Sequence, residues 1–218
     1  MDGRIRSVKT HGYHHGALHE AVLRAAVDAA RHGGPQAVGV RALAKATGVS
    51  PSAVYRHVPS IEALLAEVSQ IARQQLAGHL IDCRDRAPGH RTRKATARER
   101  FRAVGRGYVE FALAEPHLFD TAFAPCTEPL SKPDDPSAWQ VLVDGVGELV
   151  DAGIVSASGA DKAALIAWAG VQGIASILVR NALPDPVTAE QATDVILDSV
   201  MDALETIWEN GVLVSDQT

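Results

Sequence analysis

The sequence predicts an all-helical protein with about nine helices, and three observations predict it. Apolar residues recur at three- and four-residue spacing along most of the chain. No stretch shows the alternation of apolar and polar residues that a half-buried strand needs. The hydrophobic share is 46% but aromatics supply only 5%, so Ala, Val, Leu and Ile build the core. Alanine at this density favours closely packed helices.

Residues 1–13 lack periodicity and read as a basic arm carrying Arg4, Arg6 and Lys9. Ala17 to Arg31 is a helix with Leu18, Val22, Ala25, Ala26 and Ala29 on one face, ended by Gly33-Gly34-Pro35. Val40 to Thr47 is a short helix. Leu43 and Thr47 point inward, and Ala44 marks a crossing point where a small side chain lets a second helix approach. Gly48 tolerates the left-handed backbone that ends a helix. Val49 plugs the turn, Ser50 is a natural N-cap, and Pro51 suits the first helical position. Val54 then faces back onto Leu43 and Ala44. This is the helix-turn-helix pattern, whose second helix enters the major groove of DNA.

Ser60 caps a long fourth helix running to about Asp82, with Glu62 favourable in its first turn and Leu64, Leu65, Val68 and Ile71 buried. Pro88-Gly89 interrupts an Arg-rich run (Arg84, Arg86, Arg91, Arg93, Lys94, Arg98, Arg100, Arg102), read as a solvated loop and polar helix face rather than a second nucleic-acid patch. A helix from about Ala95 to Ala114 keeps Phe101, Val104, Tyr108 and Phe111 at helical spacing and stops before Pro116. His117 to Ala124 is a short helix, and Pro125, Pro129, Pro133 and Pro136 mark an irregular loop. Ser137 to Ala152 is a helix with Trp139, Leu142, Val143, Val146 and Val150 inward, closed by Gly153. Ser158 and Asp161 suggest a capping box opening a long apolar helix to Ala182. Thr188 and Gln191 suggest another, opening a last helix that Asn210-Gly211 ends.

The run from Tyr13-His14-His15-Gly16-Ala17-Leu18 through Leu64-Leu65, and most specifically Tyr55-Arg56-His57-Val58, resembles the TetR family of bacterial transcriptional regulators. That resemblance implies a three-helix DNA-binding unit, a fourth helix linking it to a helical ligand domain, and a homodimer built from the last two helices. The expected division is a basic arm at 1–13, a DNA-binding domain at 14–75, a ligand-binding and dimerisation domain at 76–211 and a tail at 212–218. Trp168-Ala169-Gly170-Val171-Gln172-Gly173 resembles the ligand-domain signature of the subgroup named for Trp-His-Gly, with Gln172 in place of the His. The family usually has a lysine at the start of the fourth helix; Ile61 stands there, which removes one expected phosphate contact, and compensation is expected from the arm.

Charge is divided along the chain in the same way. Residues 1–60 hold eight Lys/Arg against three acids, a net of +5, while the remainder carries −10, to give −5 overall. A basic head on an acidic body suits a DNA-binding module that holds DNA at one end. The expected DNA-binding residues are Arg41, Ser50, Pro51, Ser52, Ala53, Tyr55, Arg56 and His57, with Arg4, Arg6 and Lys9 from the arm. Arg41 and Arg56 are the candidates for polar readout, and Pro51 and Ala53 for apolar contact with a thymine methyl group. By resemblance, Tyr55 and His57 hold backbone phosphates.

Tyr108, Phe111, Phe119, Phe123, Trp139, Trp168 and Gln172 are candidates to line a cavity for a small, largely apolar effector. They compete with a plain-core reading. Ile174, Ile177, Leu178, Leu197, Met201, Leu204 and Trp208 are candidates for the dimer seam, along a helix made approachable by Ala167, Gly170, Gly173 and Ala175.

The sequence holds no nucleophile–base pair, no Gly-rich phosphate loop and no metal-ligand spacing, so neither an enzyme nor a cofactor is expected. Adjacent His14 and His15 cannot both face one metal from a helix. Cys83 and Cys126 read as free thiols of a cytoplasmic protein. No membrane span and no secretory signal are expected. The function expected is thus a ligand-responsive repressor acting as a homodimer on a near-palindromic operator. The rival is a helical ligand-binding or scavenging protein with a degenerate head.

Overall fold

Among the described residues the chain forms nine α-helices and two single turns of 3-10 helix, with no strand. The computed structural model describes residues 13–124 and 137–209, with side-chain environments for 16–124 and 137–206. The basic arm, the loop marked by Pro125 to Pro136, Cys126, and the side chains of His14, His15 and Trp208 fall outside the described residues. The helices are α1 Tyr13–Gly33, α2 Val40–Thr47, α3 Pro51–His57, α4 Ile61–Arg86, α5 Arg93–Ala114, α6 Pro116–Ala122, α7 Ala138–Asp151, α8 Ala160–Val179 and α9 Ala189–Glu209.

Most helix starts follow from side-chain oxygens that cap otherwise unpaired backbone N–H groups. Ser50 accepts from Ala53 N at 3.2 Å, Ser60 from Ala63 N at 3.0 Å, Thr92 from Ala95 N at 3.1 Å and Ser137 from Gln140 N at 3.1 Å. Thr188 and Gln191 form the reciprocal capping box expected of them: Thr188 N donates to Gln191 Oε1 at 3.0 Å and Gln191 N to Thr188 Oγ1 at 3.2 Å. The box expected at Ser158 does not form. A 3-10 turn at Ala157–Gly159 precedes α8, Gly159 occupies the cap, and the Ser158 hydroxyl lies 3.3 Å from that of Ser156. Asp161 then serves as an acid in the first turn, favourable to the helix dipole. Helix α4 runs a turn beyond the expected Asp82, supported by an Arg86–Asp82 pair at 3.2 Å, and stops before Pro88.

Helix α4 organises the packing. Its Leu64, Val68, Ala72, Leu76 and Leu80 recur every fourth residue and are almost wholly buried. One continuous core runs from Val22, Leu43 and Val54 at the head, along α4, to Tyr108, Ala138 and Val171 in the body. Helices α5 and α6 pack against α4, and α6 also packs against α1. Ser69 Oγ and Arg73 Nε both donate to the Ala122 carbonyl, at 3.1 and 2.6 Å, so they satisfy the end of α6. Arg31 on α1 reaches Glu115 at 3.1 Å. A second core gathers Phe101, Leu142, Val146, Leu149, Ala163 and Leu204.

Four arginines of the Arg-rich run pair with acids of other helices, while Arg84 and Arg86 pair with Asp85 and Asp82 of α4 itself. Arg93 pairs with Asp151, Arg98 with Glu205, Arg100 with Glu148, Arg102 with Asp194 and Asp198, and Arg106 with Asp194. Most of these fasten α5 to α9 along their polar edges.

One expectation is corrected by α7. Trp139 was expected inward but is 39% exposed, because α7 turns Ala138, Val141 and Leu142 into the core instead. The segment Ala157–Val179 does form a helix long and apolar enough, at a mean hydropathy of 1.6, to cross a membrane by length and composition alone. Here it packs against α5, α7 and α9, with Ala163, Ala167, Val171, Ile174 and Ala175 buried. A third of the window is buried, and its opposite face exposes Leu165 and Ile177.

Close approach of α9 to α8 depends on Gly170. A Cβ there would lie 2.8 Å from Val200 Cγ2, and valine in a helix has little rotameric freedom to retreat. Gly170→Leu is therefore expected to destabilise the chain by about 1–3 kcal/mol through overpacking, measured by urea unfolding. Gly173, with nothing within 4 Å of its Cβ position, is the control: Gly173→Leu should cost a single chain little.

Candidate nucleic-acid interface

The head is built so that one face of α3 is consumed by packing and the other is left open. Leu43, Ala44 and Val54 are buried against one another, and Val58 closes the base. Gly48 has φ 69°, the left-handed conformation that the turn requires, and its N–H bonds back to Lys45 O at 3.4 Å. Val49 N donates to Ala44 O at 3.0 Å and half-buries its side chain against the same core. Thr47 turns its hydroxyl back onto Leu43 O at 2.7 Å.

Pro51, Ser52, Tyr55 and Arg56 are exposed, Tyr55 at 59%, while Ala53 and His57 are half-buried. Ser50 is engaged as the cap of α3 and lies 3.0 Å from the Ser52 hydroxyl. Arg41 and Lys45 are exposed on α2, and neither they nor Arg56 forms an ion pair among the described residues. Three cations and a phenol are thus exposed on α2 and α3, with Tyr55 and Arg56 in the last turn of α3, where its dipole favours a cation. Ile61 is half-buried against the core and offers nothing to a phosphate.

The residue that sequence reasoning missed is His19. Its Nδ1 lies 3.2 Å from the His57 carbonyl at the end of α3, and its Nε2 lies 2.9 Å from Glu67 Oε2 on α4. Both partners are acceptors, so the ring satisfies both only when each nitrogen carries a proton. One side chain of α1 therefore pins the C-terminus of α3 to α4. No local pattern advertises this, because its partners lie 38 and 48 residues away.

In the body, Tyr108, Phe119, Phe123 and Trp168 form one aromatic cluster, with centroids 5.1–6.4 Å apart, and Trp139 meets Trp168 edge-on at 5.7 Å. Phe111 is outside it and packs on His79. The Tyr108 hydroxyl donates to Gln172 Oε1, and burial pushes the phenol well above its usual range, so it stays a donor. Of the seven candidate ligand residues, Tyr108 and Trp168 line an enclosed apolar cavity, together with Phe101, Leu142, Val171 and Met201. Its volume is about 20 Å³. That is room for about one water, far below the roughly 300 Å³ or more of a ligand site. Phe111, Phe119, Phe123, Trp139 and Gln172 do not line it; Phe111 and Phe119 are buried in the core instead.

Four candidate seam residues, Ile174, Leu178, Leu197 and Leu204, are at most 9% exposed within this one chain, which corrects their assignment to a dimer surface. A side chain already covered has no surface left for a partner. Ile177 is 41% exposed, Met201 is half-buried, and the side chain of Trp208 lies outside the described residues.

Partial burial opposes charge on His19, but the Glu67 carboxylate and the His57 carbonyl outweigh it, and its pKa is raised above the ordinary 6.5. A raised histidine adds stability that is complete below the unfolded value and is lost as pH climbs through the folded one. The stability gap between wild type and His19→Gln should thus be widest near about pH 5.5 and shrink by about pH 8.5. Urea unfolding across that range checks it; a gap that widens with pH would refute the clamp.

Comparison with known proteins agrees with this architecture. Residues 22–68 match the family model described as bacterial regulatory proteins, tetR family, and residues 101–204 match the tetracyclin repressor-like C-terminal domain. Nothing among curated proteins matches significantly. Among solved structures, a protein of unknown function from Rhodococcus sp. RHA1 is similar at 27% identity and TM-score 0.72, over 89% of this chain and 99% of that one. A TetR family transcription regulator from Marinobacter aquaeolei VT8 is similar in fold at 18% identity and TM-score 0.61, over 87% and 96%. So is a TetR variant from Acinetobacter baumannii AYE in complex with minocycline, at 17% and 0.59, over 87% and 97%. With an exposed capped helix on a helix-turn-helix head, a helical body behind it, and two family models that together span more than two thirds of its length, the chain belongs to the TetR family of DNA-binding transcriptional regulators.

Proposed function

We propose that this regulator is an effector-responsive repressor that binds a near-palindromic operator as a homodimer. The observation that carries it is the division of α3 into a face fully used by the core and an open face bearing Ser52, Tyr55 and Arg56, flanked by Arg41 and Lys45. In this reading Arg41 and Arg56 read base edges or phosphates, Tyr55 and His57 hold phosphates, and Pro51 and Ala53 offer apolar contact. Ser50 acts by capping α3, and Arg4, Arg6 and Lys9 add phosphate contacts from the arm. The head spans roughly residues 14–75 and the body 76–211, with α4 belonging to both.

A second copy is called for by α8. Leu165, Ala169, Gly173 and Ile177 recur every fourth residue and are all exposed, on a helix whose other face is buried. Val195 on α9, 62% exposed, lies on the neighbouring helix. An apolar stripe of this kind suits twofold pairing of α8 and α9 with their copies, to present two heads to successive major grooves. The run Trp168-Ala169-Gly170-Val171-Gln172-Gly173 supports a kinship with the Trp-His-Gly subgroup, and Gln172, in place of the His, departs from it.

The effector is small and largely apolar. The closed cavity touches α4, α5, α7, α8 and α9 at once, so a ligand that opens it displaces α5 against α4. Since α6 links α4 to α1, that displacement reaches the head. Effector and operator then weaken each other's binding reciprocally.

Two measurements test this. Tyr55→Ala with Arg56→Ala should weaken binding to the protein's own upstream DNA by roughly tenfold or more, leaving thermal stability nearly unchanged. Leu165→Glu with Ile177→Glu should convert dimer to monomer in sedimentation equilibrium and abolish tight operator binding. A wild-type chain that binds no upstream fragment at low salt, or sediments as a monomer, refutes the reading.

A further inference from the structure

His79 and Cys83 stand one turn apart on α4, and Glu110 faces them from α5. One imidazole nitrogen, the thiol sulfur and one carboxylate oxygen all lie within 4.8 Å of one another. His79 Nε2 is central, 3.6 Å from Cys83 Sγ and 4.0 Å from Glu110 Oε2. A tetrahedral ion with bonds of about 2.0–2.3 Å holds its ligand atoms roughly 3.5 Å apart. The trio is therefore about an ångström too wide at its longest edge. The Glu110 side chain, 57% exposed, is free to close that distance by rotating.

Two neighbours shape the site. A Cβ on Gly107 would lie 2.7 Å from Cys83 Sγ, so this glycine leaves the space the sulfur occupies. Phe111 backs the His79 ring, centroids 6.0 Å apart. Soft sulfur, imidazole and one carboxylate form a donor set for zinc-class ions rather than magnesium or calcium. None of the three belongs to the DNA-facing edge or lines the cavity.

We propose that His79, Cys83 and Glu110 bind one divalent transition-metal ion of the zinc and cobalt class, bridging α4 and α5, with the remaining coordination position open to water. An ordinary thiol is protonated near neutral pH, so Cys83 carries its proton before the ion arrives. As the metal–sulfur bond forms, the S–H bond breaks and its proton passes to solvent; no electron is transferred. The bridge fastens the helix that carries the head to the body's most intimate partner of that helix.

The test uses the full chain carrying Cys126→Ser, which silences the other thiol, and Co²⁺ alone as the probe. One equivalent should produce a thiolate-to-cobalt charge-transfer band and visible bands of tetrahedral intensity, both removed by Zn²⁺. His79→Gln and Glu110→Gln should each weaken Co²⁺ binding by about tenfold or more, and Cys83→Ser should abolish the charge-transfer band. Should Cys83→Ser fail to fold, alkylation of Cys83 in the otherwise intact chain is the second readout, and Zn²⁺ should slow it severalfold. Absence of the band, its survival in Cys83→Ser, or alkylation indifferent to Zn²⁺ would overturn the site. No DNA is present in these measurements, so their outcome is separate from that of the operator experiments.

Discussion

The burial of one face of α4 along its whole length is the constraint on which the rest of the structure depends. At 26 residues the helix is about 39 Å long, enough to traverse a small domain. Its fourfold-spaced Leu64, Val68, Ala72, Leu76 and Leu80 give head and body a shared core. Had the head its own sealed core and a flexible tether, motion in the body would not reach α3. Because the interior is close-packed and deforms little, a shift of α4 moves what is packed on it.

The polar contacts reinforce that arrangement. His19 ties α3 to α4 within the head, Arg31 ties α1 to Glu115, and Ser69 and Arg73 tie α4 to the end of α6. On the far side, α5 is laced to α9 by arginine–carboxylate pairs. Exposed pairs of this kind contribute little stability singly, but their geometry fixes which edges meet. They also leave Arg98, Arg100, Arg102 and Arg106 of the body paired, whereas Arg41, Lys45 and Arg56 at the head form no ion pair among the described residues.

Small residues set the distances. Gly105, Gly107 and Gly170 each stand where a methyl group would meet a neighbouring side chain at under 3 Å. They let Leu197, Cys83 and Val200 nest against helix backbones. An aromatic-poor, alanine-rich core is compatible with helices this close, and it leaves a cavity for little more than one water. Ligand entry accordingly means separating helices rather than filling a standing void.

What the sequence determined by itself was local: the helices, most of their caps, and the helix-turn-helix. Ser50, Gly48 and Pro51 act over one turn of chain, so their spacing alone carries their meaning. What only the tertiary structure decided was which of several apolar faces turns inward and which distant side chains meet. Trp139 and α8 show the first: every face of α8 is apolar, so periodicity could not say that Ile174 and Leu178 are core while Leu165 is exposed. The second is shown by His19 with Glu67, by Arg98 with Glu205, and by Glu110 beside His79 and Cys83. Their separation in sequence is tens of residues, and only the packing angle of one helix on another converts that separation into contact.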